Sequence, residues 1–116
     1  MLKNQTDWTN TPGHAALSNE IGYVNGRIGS IWRIVGQERK AIATWLADLR
    51  ALRVLERHLG KRWHKGWWYF SLYQAYLAIG DKQKATVWLK RARREDIRTY
   101  GKKRAAEFPA AEASIP

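Results

Sequence analysis

Cations and indoles alternate in one short stretch of this chain. Residues 60–65 read GKRWHK, so that Lys61, Arg62, His64 and Lys65 surround Trp63, with Trp67 close behind. Guanidinium and ammonium groups pair with phosphate or carboxylate, and an indole face stacks on an unpaired base. The combination suits a nucleic acid or an acidic peptide. A second concentration follows between Lys90 and Arg104, where eight basic residues stand against Glu95 and Asp96. The candidate polyanion-binding residues are therefore Lys61, Arg62, Trp63, Lys65, Arg91, Arg94, Arg98, Lys102, Lys103 and Arg104. The plainer alternative for any such run is a solvated helix face.

The whole chain leans the same way, with a formal charge of +11 over 116 residues and an isoelectric point near 10.4. So large a self-repulsion points to a polyanionic neighbour, or else to a surface that only solubilises the chain. Catalytic chemistry is hard to assemble from what is present. Cysteine is absent, which removes disulfides and thiolate metal sites. The serines lack a nucleophile-elbow context, and Gly22, Gly26 and Gly29 do not fit the dinucleotide fingerprint. Neither Gly60-Lys61 nor Gly101-Lys102 completes a phosphate loop. His14, His58 and His64 show no pairing at i, i+4 and no acidic co-ligand, so they are expected at the surface. No enzyme, cofactor or metal is expected. The N-terminus lacks a signal-peptide core, and the uncharged stretch Gly66 to Gly80 falls short of the ~20 residues needed to span a bilayer. A soluble, cytoplasmic protein of one domain is the expectation.

Hydrophobic spacing supplies the elements that position these groups. Ile21, Val24, Ile28, Ile31, Trp32 and Val35 recur at helical steps after Ser18, a good N-cap. Gly22, Gly26 and Gly29 each cost this helix up to about 1 kcal/mol relative to alanine. Their shared side is read as a groove into which another helix or a bulky Trp packs; a locally irregular helix is the alternative, and Asn25 and Arg27 argue against a membrane GxxxG pair. Gly36 ends the helix. From Gln37 to Leu59 a second one buries Ala41, Ile42, Trp45, Leu46, Leu49, Leu52, Leu55 and Leu59, and exposes Arg39, Lys40, Arg50, Arg53, Glu56 and Arg57. From Gly66 the pattern resumes with Trp68, Tyr69, Leu72, Tyr73, Tyr76 and Ile79, stops at Gly80, restarts on the potential cap Asp81, and continues through Ala85, Trp88, Leu89 and Ala92.

That second pair resembles one tetratricopeptide repeat, a helix-turn-helix unit of about 34 residues. Tyr69, Leu72 and Tyr76 match its large residues in the first helix, Gly80 and Asp81 its turn, and Ala85, Leu89 and Ala92 its second helix. Tyr73 replaces the usual small residue and Ile97 the usual proline, which implies a hairpin splayed by the Tyr73 ring and a last helix that runs on. A weak internal repeat relates Ile28, Trp32, Gly36, Ala41 and Trp45 to Leu72, Tyr76, Gly80, Ala85 and Leu89, each 44 residues later, and breaks where Asp48 faces Ala92. The expected fold is all-α: two antiparallel helical hairpins, 18–59 and 66–100, forming a TPR-like short α-solenoid or four-helix array within 18–104. Ala41 and Ala85 should lie buried at the close approaches. An extended N-terminal arm, 1–17, anchored by Trp8, and an extended C-terminal tail, 105–116, complete the chain.

The resemblance implies a non-enzymatic interaction module, an adaptor or accessory subunit of a larger assembly. Its groove would hold a protein partner on Trp67, Phe70, Gln74 and Leu77 with Arg27, Ser30 and Arg33. Two hairpins are fewer than the three repeats a solenoid usually needs, so a partner or self-association is expected to cover the open ends. The family's carboxylate clamp is not visible here. Competing readings are a nucleic-acid-binding component of a ribonucleoprotein and a cationic protein on an anionic membrane surface.

Overall fold

The computed structural model describes residues 26–115 and shows only helices and their connections there. The arm 1–17 with Trp8 and His14, the Ser18 cap, Ile21, Gly22 and Val24 lie outside the described residues. Within them, α1 covers 26–34, and α2 (Glu38–Leu59), α3 (Gly66–Ala78), α4 (Lys82–Tyr100), α5 (Lys102–Ala105) and α6 (Pro109–Glu112) follow. Among the described residues no helix is long and apolar enough to cross a membrane.

The two hairpin turns are copies of each other at the level of individual hydrogen bonds. The Gly36 amide donates to the Arg33 carbonyl at 3.0 Å and the Gln37 amide to Trp32 at 2.8 Å; 44 residues later, Gly80 donates to Leu77 at 3.1 Å and Asp81 to Tyr76 at 2.9 Å. This is the paired 5→2 and 6→1 closure that satisfies the last carbonyls of a helix, and it needs a residue with positive φ. Gly36 and Gly80 supply it, at φ 82° and 85°. Both second helices then open alike, with Ala41 bonded to Gln37 and Ala85 to Asp81. Only the second has a side-chain cap, Asp81 accepting from the Lys84 amide at 3.1 Å.

Ala41 and Ala85 are fully buried, as are Leu72, Ala75 and Ala92. The glycine side of α1 receives a tryptophan, as its spacing suggests. A methyl group at Gly29 would fall 2.2 Å from the Trp45 indole nitrogen, and one at Gly26 would fall 2.9 Å from the Trp67 ring. The absence of side chains lets the Trp45 Nε1–H reach the Gly26 carbonyl, at 3.1 Å. Trp45 also meets Trp67 edge-to-face, and Trp67 meets Trp68 in the same way. Where the repeat breaks, Asp48 is buried and accepts a hydrogen bond from Trp68 Nε1 at 3.1 Å.

Two expectations need correction. The Tyr73 ring does not prise the second hairpin apart: it is buried, tilted against Phe70, and its hydroxyl donates to the Ser114 carbonyl at 2.9 Å. The tail from 105 onward is not simply extended either. After α4 ends at Tyr100, α5 and α6 turn the chain back so that Ala110 is buried and Ala113 and Ile115 pack on the core. Arg93 holds this segment by donating to the Ala110 and Ala113 carbonyls. Sequence periodicity could not show this, because the helical turns are only four residues each and the anchors lie elsewhere in the chain.

Candidate functional site

Four of the residues expected along a partner groove, Arg33, Phe70, Gln74 and Leu77, line one cleft. A cleft of about 610 Å³ runs along α3, lined by Phe70, Tyr73, Gln74, Leu77 and Ala78, with Arg33 of α1 on one side and Pro109, Glu112, Ala113 and Ser114 on the other. Arg33 donates to the Gln74 amide oxygen at 3.1 Å and forms an ion pair with Glu38 at 3.2 Å. The Gln74 amide nitrogen remains to donate, and Phe70 and Leu77 give half-buried apolar surface. Trp67 and Arg27 are not in the lining. Trp67, about half exposed, covers Gly26 instead, and Arg27 is exposed on α1. Ser30 turns its hydroxyl back to the Gly26 carbonyl.

The basic linker is the main surprise of the site, since all its basic side chains but Lys61 lie against carboxylates. Lys65 is buried and pairs with Glu56 at 2.6 Å, while its amide donates to Glu95 at 2.8 Å. Glu56 also accepts from the Trp63 amide at 2.7 Å. Glu95, itself 3% exposed, takes Arg62 at 3.3 Å and Arg98 at 2.9 Å. Lys65 is thus buried in an ion pair, Trp63 joins it in an internal clasp through its amide, and Arg62 and Arg98 reach Glu95 from the surface with their side chains still exposed. The physical reason for the clasp is burial: the linker passes between α2 and α4, where an unpaired ammonium would be costly.

His64 also departs from expectation, for it is only half-exposed. Its Nε2 lies 3.3 Å from Asp96 and its Nδ1 lies 2.9 Å from the Thr99 hydroxyl. The pair sits so close over Gly66 that a methyl group there would be 2.4 Å from the imidazole. His58 is exposed, as expected.

Burial raises the pKa of Asp48, against the opposing Trp68 hydrogen bond, and it raises that of Asp96 despite the nearby His64. Glu95 behaves differently: burial alone would push its pKa up, but hydrogen bonds from Arg98 and the Lys65 amide, with the charges of Arg98 and Lys65, carry it below the usual value. The ionised form is thus favoured at Glu95 and disfavoured at Asp48 and Asp96. Among the described residues no group of three or more His, Cys, Asp or Glu side chains is placed to hold a metal ion.

The remaining candidates stay at the surface. Lys61, Arg94, Lys102 and Lys103 are exposed, Arg104 lies over the Tyr100 ring at 5.6 Å, and Arg91 stacks on Trp88 at 4.6 Å. Arg91 lines one cleft together with Arg62 and Lys65 of the linker. Glu56, Glu95 and Asp96, which organise this region, carry no sequence signal beyond being acids in basic surroundings. Compared with known proteins, the chain matches no family model, no curated protein and no solved structure.

Proposed function

We propose that the protein is a non-enzymatic helical-repeat interaction module of tetratricopeptide-like design, acting in the cytoplasm as an adaptor or accessory subunit that binds an extended segment of a protein partner. The α3 cleft carries this reading. It combines an apolar floor from Phe70 and Leu77 with an amide at Gln74 held in place by Arg33, and its volume falls within the range of about 300 to 1,000 Å³ typical of ligand clefts. The side-chain amide and the apolar surface together suit an extended peptide, whose backbone needs hydrogen bonds and whose side chains need pockets.

Selection of displayed random peptides on the full chain tests the proposal. Enriched peptides should lose at least about tenfold in affinity, or about 1.4 kcal/mol, on Phe70→Ala and on Leu77→Ala. Failure to enrich any sequence, or peptides that bind both variants as well as the parent, would remove this function.

A further inference from the structure

A second cleft, of about 450 Å³, opens between α2 and α4 and shares no lining residue with the first. Its apolar surface comes from Leu46, Leu49, Tyr69 and Trp88, and its rim carries Arg50, Arg53 and Arg57 from α2, Arg91 from α4, and Arg62 and Lys65 from the linker. Glu56 is the one carboxylate in this lining, and Lys65 already occupies it. Arg62 is tied to Glu95. Arg50, Arg53 and Arg57 are exposed and make no ion pair among the described residues. Their spacing of three and then four places them along one side of α2, over an axial run of about 10 Å.

Like charges aligned in this way repel, so the row weakens the free protein unless an anion relieves it. Guanidinium forks match phosphate oxygens in pairs, which ammonium groups cannot do. A run of about 10 Å exceeds the reach of a single phosphate and fits successive ones. A cleft between neighbouring helices admits one strand; duplex recognition instead inserts protein elements into a nucleic-acid groove. The half-buried Tyr69 and Trp88 rings, 5.6 Å apart, line the same cleft, and a base takes the Trp88 face as Arg91, stacked there at 4.6 Å, moves onto a phosphate.

We infer that this cleft binds the phosphodiester backbone of single-stranded nucleic acid, with Arg50, Arg53, Arg57 and Arg91 on the phosphates. The site shares Arg91 with the candidates picked out by composition and adds Arg50, Arg53 and Arg57, while Arg62 and Lys65 on its rim are paired with Glu95 and Glu56; it does not depend on the peptide-binding reading of the α3 cleft.

Fluorescence anisotropy of a labelled oligouridylate with the full chain, titrated from about 0.05 to 0.2 M salt, tests it. The triple variant Arg50→Gln, Arg53→Gln, Arg57→Gln should bind about tenfold more weakly or worse, and its salt slope should fall by about 2, from roughly 0.7 per lost phosphate contact. The control variant Lys102→Gln, Lys103→Gln, Arg104→Gln removes the same charge outside the cleft and should change affinity less than about threefold. Circular dichroism confirms that both remain helical. Equal losses in the two triples would mean general charge attraction and overturn the proposal. So would undetectable binding of the parent at about 0.15 M salt, tighter binding to duplex RNA or to anionic lipid vesicles, or displacement by inorganic phosphate as effective as by unlabelled oligomer.

Discussion

The two hairpins share a turn, bond for bond, yet fill the space beside it in opposite ways. In the first, the leading helix is stripped to Gly26 and Gly29 and the following helix sends Trp45 into the gap. In the second, the corresponding positions 44 residues later are Phe70 and Tyr73, and the following helix offers only Leu89, buried at 3% exposure. Bulk has moved from one helix of the pair to the other. Phe70 and Tyr73 lie beside the C-terminal segment, where Tyr73 finds the Ser114 carbonyl. In α1, the side away from the glycines leaves Ile31, Ile34 and Val35 exposed. Repetition of a turn does not require repetition of a core; it requires that each hairpin conserve volume.

Exchanging bulk within the first hairpin should produce the largest effect. Gly29→Ala gains about 1 kcal/mol of helix propensity but drives a methyl into an indole that is 1% exposed, at an overpacking cost of up to about 3 kcal/mol, for a net loss of about 2 kcal/mol. Trp45→Leu in the same chain should recover part of that loss, so a double-mutant cycle by urea unfolding should be clearly non-additive. Additive losses would mean that Gly29 and Trp45 do not share one volume.

Tyr73→Phe, a smaller change, sharpens the second half of the comparison. It removes the hydroxyl bonded to Ser114 and should cost about 1 kcal/mol. The same substitution in a chain ending at residue 107 should cost nothing measurable, and a persistent cost there would show that the ring does not lean on the tail.

The smallest effect contrasts the buried acids by pH. Asp48 has a raised folded-state pKa, so the folded chain holds its proton more tightly than the unfolded chain, and its ionisation detracts from stability at neutral pH. Asp48→Asn keeps an acceptor for Trp68 and should raise the melting temperature at pH 7, with the gain fading as pH falls through the folded pKa. Glu95→Gln should do the reverse. Its folded pKa is lowered, so its contribution is present above the unfolded value of about 4.5 and is lost in acid. Parallel pH profiles for the two variants would contradict the assignment.

Local pattern made the helices legible. Gly36 and Gly80 marked both turns, Asp81 its cap, and the glycines of α1 a seat for tryptophan. What stayed hidden was pairing at a distance. Lys65 and Glu95 are 30 residues apart and Tyr73 and Ser114 are 41 apart, so no periodicity connects them. The composition of residues 60–65 pointed to a site because charge on a linker looks available, and only the placement of Glu56, Glu95 and Asp96 beside it shows that Arg62, His64 and Lys65 meet carboxylates of the same chain. Arg50, Arg53 and Arg57 were visible as the basic side of a helix, but nothing in sequence said that a cleft ran beneath them.

The clasp around residues 60–65 has a mechanical consequence. Helical arrays usually yield at the joints between units, where contacts are fewest. Here the joint is gripped from α2 by Glu56 and from α4 by Glu95 and Asp96, so bending it would part buried opposite charges before it loosened either hairpin. Bending between the two clefts should therefore cost the contacts of this clasp as well as those between the helices.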